Sequence, residues 1–583
     1  MPYFFLQPCF WGFFLFVSGS LFAQMPDYAH PINGPLLVTG TFGELRGDHF
    51  HAGLDFRASV GTPVYSIGDG YISRIKISAG GYGQAIYIDH PEGYRSVYCH
   101  LSGLRSDLMD SVRARQYQRE KFVIDLRFDS LTFPVKRGDK IGAVGNRGYS
   151  FGPHLHFEIR DSRTDAGLNP LDFGMNVPDT RRPTIRSLKV YELDKGGNTL
   201  QEHEIRVVRR GNGVYYLPDP VAVSSSHIGI GIKAYDQQNA LNNFNGIFRG
   251  ELRYDSISLF AFQFRNIPFE LTRYLNAHTD YRAWTAKESW YHRLFRLPGD
   301  ELGIYEVSST QQIDGQLYVK DGMIRRIPGQ DIPLRIFITD QAGNFSTVDF
   351  SLTDGADSPL PTGPAYQYFL PQNEASIIDN GRMRMEIPVG ALYTDCYFRY
   401  QSAADYSEGV YSDVHHLHDP LTPVHRAIQL SLQPTRDIPL ALRDKIVLAE
   451  CSDGRNDLPT SYGGAIDSSS SPIPLPIIAF GDYCLLLDTI PPEILPVNFR
   501  TPLRGIRQLS FRITDNFATA GRARGLRYQA KLDGKWILME YDLKKDLIFY
   551  DLPTPLSPGP HQLAIRVWDD RGNEAVWQRE VYP

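Results

Sequence analysis

The stretch Pro153-His154-Leu155-His156-Phe157-Glu158-Ile159 decides the fold of the N-terminal part of this chain. Apolar and polar residues alternate along it, and residues two apart on a strand point to the same face. The pattern predicts a strand with Leu155 and Phe157 facing the core, while His154 and His156 project side by side from the other face. Neutral imidazole is a good ligand for Zn²⁺ and also a good general base, so the pair can supply one of each.

A second histidine motif lies upstream, where His51 and Asp55 are four residues apart. On a straight strand they would be about 13 Å apart, too far to share one metal ion. Gly53 lies between them and permits a bend that brings the side chains together. His49 is an alternative to His51, but the spacing to Asp55 favours His51. Two histidines and one aspartate leave a fourth tetrahedral position for water, as in catalytic rather than structural zinc sites.

Two further elements belong to the same segment, Tyr98-Cys99-His100-Leu101 and Gly145-Asn146-Arg147-Gly148. His100 follows a predicted strand, with Tyr98 on the same face and Cys99 opposite, so Cys99 is interpreted as a small buried hydrophobic residue. A lone histidine is more often part of the structure than a ligand. The combination of these motifs within one domain-sized segment is more specific than any one of them.

This set of elements, in this order, resembles the lysostaphin-type zinc metallopeptidases, also called the LytM or peptidoglycan endopeptidase family. The resemblance covers about residues 35–174, roughly a quarter of the chain. It implies an antiparallel β-sheet peptidase fold. The stretch Ser106 to Phe133 is an insertion relative to the shortest family members and is expected to line or cap the groove. It contains one predicted helix, Ser106 to Lys121, with Ser106 or Asp107 as its N-cap.

The resemblance also assigns roles to individual residues. His51, Asp55 and His156 would hold one Zn²⁺ per chain. His154 would be the general base that takes a proton from the attacking water. His100 would stabilise the oxyanion of the tetrahedral intermediate or orient the water. None of the family's ligand positions is substituted in this sequence.

The function predicted from these residues is that of an exported zinc metalloendopeptidase that cleaves cross-links or stem peptides of peptidoglycan. An alternative is a non-catalytic envelope protein that binds the wall or regulates another hydrolase. A third possibility is an enzyme that cuts exported proteins. Gly148-Tyr149-Ser150-Phe151-Gly152 matches the nucleophile elbow of serine hydrolases, but that motif needs a helix directly after the serine, and here Pro153 and a strand follow.

The net charge limits the kinds of partner that we expect, and the N-terminal residues indicate the location of the protein. The 583 residues include 60 Lys and Arg against 66 Asp and Glu, a net charge of −6, which argues against a nucleic-acid partner. Residues 1–23 lack charged side chains and end in small residues, which predicts a signal peptide cut after Ala23. An uncleaved anchor is the alternative. We expect an exported protein of the periplasm or cell envelope, with no stable membrane span after cleavage.

The rest of the chain is predicted to be mostly β, with immunoglobulin-like β-sandwich domains after the peptidase domain. A weak internal repeat begins at Asp179 and again at Asp488, and each copy ends in an Asp-x-x-Gly-Asn turn, at Asp340 and Asp569. These β domains are a possible site for an envelope protein partner. The predicted divisions are a signal peptide at 1–23, the metallopeptidase domain at 24–178, a sandwich with an insertion at 179–355, a β-rich domain at 356–487 and a sandwich at 488–583.

Two smaller expectations concern the middle of the chain. Cys396, Cys451 and Cys484 allow one disulfide that the sequence does not assign. The His-rich patch at His415, His416 and His418 is interpreted as a polar surface loop rather than a metal site, because it lacks zinc-type spacing.

Overall fold

The computed structural model describes residues 25–583 apart from 240, 307–309, 314–316, 326–327, 356–364, 452–457, 504 and 553–555. The signal peptide predicted at 1–23 lies outside the described residues. Across the described part the chain is mostly β, as predicted, with few and short helices. In that part, no helix combines the length and the apolar character that a membrane crossing requires.

The N-terminal segment is a run of short strands interrupted by one long helix, α1. The strands are β1 Val38–Gly40, β2 Leu54–Arg57, β3 Pro63–Tyr65, β4 Gly70–Ile77, β5 Gln84–Asp89, β6 Tyr94–Cys99, β7 Gly103–Leu104, β8 Ile124–Arg127, β9 Pro134–Val135, β10 Lys140–Ala143, β11 His154–Asp161 and β12 Gly167–Leu168. Helix α1 is Ser106–Arg119, and a 3-10 helix covers Pro170–Phe173.

An antiparallel sheet in the order β1-β2-β11-β6-β5-β4-β8 forms the body of this segment, and β3-β10-β7 form a smaller sheet. Leu155, Phe157 and Ile159 of β11 lie in the core cluster together with Val64 and Ile141 of the small sheet. The predicted alternation of β11 is therefore confirmed on its core side. The opposite side of β11 is left to line the functional site.

Helix α1 confirms one prediction and corrects another. It begins at Ser106, and Leu108 and Val112 are buried as its spacing implies. The N-cap position, however, is Arg105 and not Ser106 or Asp107, and no side chain caps the helix. Arg105 instead donates its guanidinium to the Asp107 carboxylate, so Asp107 is used in an ion pair.

The next unit is a two-layer β structure, called here the first sandwich. Its strands are β13 Thr184–Leu193, β14 Thr199–Arg206, β15 Val208–Gly211, β16 Val214–Tyr216, β17 Val221–Val223, β18 His227–Tyr235, β19 Arg249–Tyr254, β20 Ile257–Gln263, β21 Asn266–Ile267, β22 His292–Arg293, β23 Thr310–Ile313, β24 Leu317–Lys320, β25 Met323–Arg325, β26 Ile332–Thr339 and β27 Phe345–Asp354. Between β21 and β22 lie a 3-10 helix, Phe269–Tyr274, and two short helices, α2 Leu275–His278 and α3 Tyr281–Lys287.

The first sandwich and the N-terminal segment share apolar surface. Phe42 and Phe50, both from the N-terminal segment, are almost fully buried in the core cluster of the first sandwich. Strand β21 also pairs with β12, so the sandwich extends the sheet that contains β11. Because Phe50 immediately precedes His51, packing of the sandwich bears directly on the position of a predicted site residue.

Two further β units complete the chain. The middle unit contains β28 Tyr368–Leu370, β29 Ser376–Asp379, β30 Met383–Ile387, β31 Cys396–Phe398, β32 Tyr400–Ala403, β33 Val414–Leu417, β34 Ile428–Leu432, β35 Ile446–Glu450, β36 Thr460–Gly464, β37 Leu475–Ile477 and β38 Gly481–Leu487, with a 3-10 helix at Leu440–Lys445. The C-terminal sandwich contains β39 Glu493–Asn498, β40 Gln508–Thr514, β41 Ala518–Thr519, β42 Arg527–Leu532, β43 Lys535–Trp536, β44 Glu540–Asp542, β45 Leu547–Asp551, β46 His561–Trp568 and β47 Glu574–Val581, with a 3-10 turn at Leu543–Lys545.

The C-terminal sandwich is built from the sheets β39-β40-β45-β44 and β43-β42-β46-β47 around one apolar cluster. In the middle unit, Cys451 and Cys484 form the disulfide that the sequence left open. The interpretation of the His-rich patch as a loop is wrong in part. His415 and His416 lie on strand β33, and His415 is buried beside Tyr400, whose hydroxyl is 2.9 Å from its Nδ1.

Candidate active site

Three of the predicted site residues converge in space. Nε2 of His51 is 3.1 Å from Oδ1 of Asp55 and 3.0 Å from Nδ1 of His156, and the last two atoms are 2.9 Å apart. Asp55 and His156 are directly opposite each other in the β2–β11 ladder, which places their side chains on one face. We call these three residues the triad.

Gly53 makes room for this arrangement, although not by a left-handed backbone. A Cβ atom at this position would lie 2.1 Å from the carbonyl oxygen of Phe157 on β11. The chain before β2 therefore passes close against β11, and His51 enters the site from the turn that precedes the strand. The bend predicted at Gly53 is present, and β2 begins only at Leu54.

The outer nitrogens of both triad histidines are held by acceptors. Nδ1 of His51 is 2.8 Å from the carbonyl oxygen of Thr41, and Nε2 of His156 is 2.8 Å from the Glu158 carboxylate. Because carbonyl and carboxylate oxygens accept hydrogen bonds, these outer nitrogens carry the protons. In the neutral rings, Nε2 of His51 and Nδ1 of His156 would therefore be the unprotonated nitrogens, available to a metal ion bound beside Asp55.

Glu158 is the centre of a buried network behind His156. It accepts hydrogen bonds from the Tyr82 hydroxyl at 2.5 Å and from Nε of Arg160 at 2.5 Å. Burial alone would raise the pKa of the Glu158 carboxyl, but Arg160 and His156 hold it well below its usual range. A charged carboxylate is thus fixed against His156, as in the carboxylate–histidine–metal arrangements that orient metal ligands.

The triad attracts positive charge. Burial would lower the pKa of His156, but hydrogen bonds to Asp55 and Glu158 outweigh it and raise the pKa to about 9. Burial likewise opposes ionisation of Asp55, yet His51 and His156 hold its pKa well below the usual range.

The donor set also fits a zinc ion. The three inward atoms form a triangle with edges of 2.9–3.1 Å. Ligands at roughly 2.0–2.1 Å from a tetrahedral Zn²⁺ are about 3.3–3.4 Å apart, so only a small expansion is needed. Two imidazoles and one carboxylate are the ligand types that zinc prefers, and the three of them leave one position open.

His154 and His100 lie beside the triad and are fixed in the same way. Nδ1 of His154 is 2.8 Å from the carbonyl of Gly152, and Nδ1 of His100 is 2.7 Å from the carbonyl of Arg147. Their rings are 4.8 Å apart, and Nε2 of His154 is 3.5 Å from Oδ1 of Asp55. Each ring therefore carries its proton on Nδ1 and presents an unprotonated Nε2.

Burial keeps both of these histidines neutral. It lowers the pKa of His154, and for His100 burial together with His156 and His154 lowers the pKa to about 3. His100 has a left-handed backbone, φ 60°, so the strand alternation expected from Tyr98 stops at Cys99. Cys99 itself is buried with a free thiol, as predicted.

The sequence of this segment matches Peptidase family M23 over residues 49–117 and 132–170. The segment is a Peptidase family M23 domain. Residues 118–131, which contain the end of α1 and all of β8, fall between the two matched stretches. A separate stretch, residues 367–488, matches a Zu5-like domain and covers the middle unit.

Several curated proteins are similar to a part of this chain. It is 32% identical over 146 residues to an uncharacterized metalloprotease of Haemophilus influenzae, covering 25% of this chain and 23% of that protein. It is 31% identical over 173 residues to the peptidoglycan DD-endopeptidase ShyB of Vibrio cholerae, covering 29% and 32%. The chain spans about a quarter to a third of the length of these relatives.

One solved structure is also similar to a part of the chain. The catalytic domain of lysostaphin from Staphylococcus simulans is 27% identical, with 24% of this chain and 90% of that chain covered and a TM-score of 0.18.

The triad of the M23 domain opens into a cleft with walls from two units. A cavity of about 680 Å³ is lined by His51, His156 and Tyr82 on one side and by Phe269 and Arg273 of the first sandwich on the other. The hydroxyl of Thr272 in the same 3-10 helix accepts a hydrogen bond from the backbone of Phe50, which anchors this wall next to the site.

The C-terminal sandwich contacts the opposite rim. Nζ of Lys544 donates to the carbonyls of Asn146 and Ser150 at 2.9 and 2.7 Å, and Arg147 forms an ion pair with Glu540. The loop held in this way is the one whose Arg147 carbonyl fixes His100. Helix α1 takes part as well, because Tyr117 packs edge-on against Trp536 with ring centroids 5.1 Å apart.

The sequence predicted the five side chains that the structure brings together, but not the groups that hold them in place through hydrogen bonds. Glu158 was part of the quoted motif, and alternation along β11 places it on the His156 face, so a signal for its role existed. Arg160 follows the same alternation. The Thr41, Gly152 and Arg147 contacts are made by carbonyl oxygens, which leave no trace in residue identity. Ser150 of the serine-hydrolase-like motif is buried, and its hydroxyl donates to Asn146 at 2.6 Å.

Proposed function

We propose that this chain is a zinc-dependent endopeptidase that hydrolyses peptide bonds in the cross-links or stem peptides of peptidoglycan, acting in the cell envelope after export. The observation that carries the proposal is the complete triad of His51, Asp55 and His156 with two neutral histidines beside it. Zinc bound there would polarise the scissile carbonyl and acidify a water molecule. Two relatives from Vibrio cholerae that are named peptidoglycan DD-endopeptidases support the substrate class.

His154 is proposed as the general base. Its Nδ1–H donates a hydrogen bond to the Gly152 carbonyl, so the unprotonated Nε2 is free to accept a proton from the attacking water. A lowered pKa keeps the ring unprotonated at neutral pH, which a base requires. Once protonated, the same Nε2 becomes a donor that can deliver the proton to the leaving amine.

For His100, the geometry favours one of the two roles that the resemblance allowed. An oxyanion needs a hydrogen-bond donor, but Nδ1–H of His100 is already donated to the Arg147 carbonyl and its Nε2 carries no proton. A neutral Nε2 accepts a hydrogen bond and can therefore orient the attacking water. Stabilisation of the oxyanion by His100 would first require a proton to reach Nε2.

The decisive experiment is digestion of purified peptidoglycan with the mature protein, followed by mass analysis of the fragments. We expect cleaved stem or cross-link peptides, no cleavage after treatment with a chelator, and recovery when Zn²⁺ is added back. The matched control is His154→Ala, which should bind zinc and cut nothing. A wild-type chain that binds zinc but releases no fragments would favour the non-catalytic envelope protein.

The two alternative functions would give different results in the same assay. An enzyme for exported proteins would cleave unfolded protein substrates while leaving peptidoglycan intact. A regulator would release no fragments alone but would change the rate of a second hydrolase added to the mixture. The β domains are proposed as the surfaces for an envelope protein partner in that case.

The division of the chain into domains remains a proposal with a direct test. A chain that ends near Pro178 would remove Phe264 and the rest of the cluster that buries Phe42 and Phe50. We expect this truncation to lose solubility or zinc, because two large apolar side chains beside His51 become exposed. Truncation at Leu487 instead removes only the C-terminal sandwich, and it should leave the triad folded.

A further inference from the structure

Three aspartates converge between the M23 domain and the first sandwich. Asp179, Asp236 and Asp340 each offer a carboxylate oxygen, and these oxygens all lie within 4.8 Å of one another. The three residues line a cavity of about 440 Å³ that also borders residues 174–178 of the M23 domain. Asp236 and Asp340 are buried, although carboxylates are seldom buried without a partner.

One carboxylate oxygen of this cluster lacks a hydrogen-bond partner. Asp236 is only 4% exposed, and its Oδ1 is buried without a hydrogen bond. Asn245 lies opposite Asp236 in an antiparallel bridge, and neither atom of its buried side-chain amide has a hydrogen-bond partner. Paired residues point to the same side of a ladder, so Asn245 adds an amide oxygen beside the cluster. An unpaired buried oxygen of this kind costs free energy unless something binds it.

The cluster has no direct positive partner among the described residues, and the nearby charge of Arg181 offsets its negative charge only in part. Among the described residues, none of the three carboxylates forms an ion pair with Lys or Arg. Burial, and after it the neighbouring carboxylates Asp340 and Asp179, raises the pKa of Asp236 to about 7. Carboxylates this close repel one another when ionised, and a bound cation would remove that repulsion.

The C-terminal sandwich repeats the arrangement. In the first sandwich, Asn344 donates its amide to Asp340 and to the carbonyl of Asp179. In the C-terminal sandwich, Asn573 donates in the same way to Asp569 and to the carbonyl of Asp488. The third aspartate follows the end of a strand in both, as Asp236 after β18 and Asp515 after β40. These are the repeated motifs that the sequence showed without assigning them a purpose.

We propose that Asp179, Asp236 and Asp340 form a calcium site at the junction of the M23 domain and the first sandwich. All the donors are oxygens, which excludes a preference for zinc and favours a hard cation. Ca²⁺ accepts several carboxylates in a flexible geometry, whereas Mg²⁺ demands a near-ideal octahedron and is usually bound through one or two carboxylates, so three converging carboxylates suit Ca²⁺. The cavity leaves room for the water ligands that complete six to eight positions.

The position of the three aspartates means that a bound cation would affect the junction between the two units. Asp179 immediately follows the last residues of the M23 domain, whereas Asp236 and Asp340 belong to the ends of strands in the sandwich. A cation held by all three would tie the connecting chain to the sandwich. We expect Ca²⁺ to stiffen the junction that positions the Phe269–Tyr274 wall of the cleft.

The test is calorimetric titration of Ca²⁺ into the full-length mature chain loaded with zinc. Wild type should bind Ca²⁺ with a Kd no weaker than about 1 mM, the range of extracellular modules. Asp236→Asn and Asp340→Asn should each lower the number of bound Ca²⁺ ions by one. The matched control is Asp349→Asn, an exposed aspartate of the same sandwich that pairs with Arg335 and should leave the number unchanged.

A variant that has lost the calcium site can be distinguished from a variant that has misfolded. Each variant is checked by circular dichroism and zinc content, and Asp179→Asn, at a partly exposed position, serves if the buried variants do not fold. Wild type alone supplies a second readout, since Ca²⁺ should slow protease cleavage at residues 176–180. A wild-type chain that binds no Ca²⁺ at several times 1 mM overturns the proposal, and so does a folded Asp236→Asn chain with the wild-type number of ions.

Discussion

Two histidine pairs in this chain have almost the same spacing and opposite surroundings. In the M23 domain, Nε2 of His51 is 3.0 Å from Nδ1 of His156. In the first sandwich, Nε2 of His278 is also 3.0 Å from Nδ1 of His292. The first pair meets two carboxylates, Asp55 and Glu158. The second pair is enclosed by the rings of Phe262 and Phe264, with centroids 4.7–6.1 Å from the imidazoles.

The surroundings of the two pairs, and not their spacing, distinguish the proposed zinc site from a structural contact. Carboxylates raise the pKa of His156 to about 9, whereas burial lowers that of His292 to about 3 and that of His278 well below its ordinary value. His156 thus favours the charged form, whereas His278 and His292 disfavour it. Loss of function should therefore follow changes in the first pair, and loss of stability should follow changes in the second.

The largest difference is expected for zinc content. His156→Ala removes a ligand and its link to Glu158, so bound zinc should fall from about one per chain to near zero, and hydrolysis with it. Metal analysis by mass spectrometry measures this. His292→Gln is the matched control and should keep the full zinc content. Equal zinc in the two variants would remove the distinction between the pairs.

The second difference, a loss of turnover without a loss of zinc, is expected for His154→Ala. The change removes a base and not a ligand, so we expect zinc to stay and kcat to fall about 10²–10⁴-fold. Peptide hydrolysis and metal content are measured on the same sample. Ser150→Ala is the control, since the Gly152 carbonyl still fixes the imidazole. Zinc loss as severe as that of His156→Ala would show that the two histidines share the ligand role.

A smaller effect is expected behind the triad. Glu158→Gln keeps the shape of the side chain but removes the charge that orients His156, so zinc affinity should fall about 10–100-fold. Competition with a chelating dye measures the affinity. Asp165→Asn is the control, because Asp165 binds the same Arg160 at 2.8 Å without touching His156. A wild-type affinity in Glu158→Gln would show that the carboxylate is structural only.

The smallest effect concerns stability and pH. Because His278 and His292 have lowered pKa values when folded, the unfolded chain binds more protons between pH 6.5 and the folded pKa. The contribution of these neutral histidines to the free energy of unfolding is therefore fully present above pH 6.5. Below pH 6.5 it falls as the pH falls, by about 1.4 kcal/mol per pH unit for each histidine. His292→Gln should reduce the slope of the unfolding temperature between pH 6.5 and 5, as seen by calorimetry. An unchanged slope would contradict a neutral buried pair.

Some elements of the fold and the site could be predicted because they depend on local patterns. The alternation of β11 places Leu155, Phe157 and Ile159 in the core. The spacing of α1 places Leu108 and Val112 on its buried face. The cap of α1 and the disulfide partner of Cys484 could not be predicted in the same way. The cap depends on which groups compete for the Asp107 carboxylate. The disulfide depends on which strands become neighbours in the fold.

The sequence alone determined which chemistry the N-terminal segment can perform, because ligand and base identity are properties of side chains. It fixed the face on which His154 and His156 project, since the strand period is two. Only the tertiary structure decided that Asp55 lies opposite His156, that backbone carbonyls fix the rings of His51, His154 and His100, and that two distant β units form the rims of the cleft. These features depend on register and on contacts between segments far apart in the chain, and no local pattern encodes them.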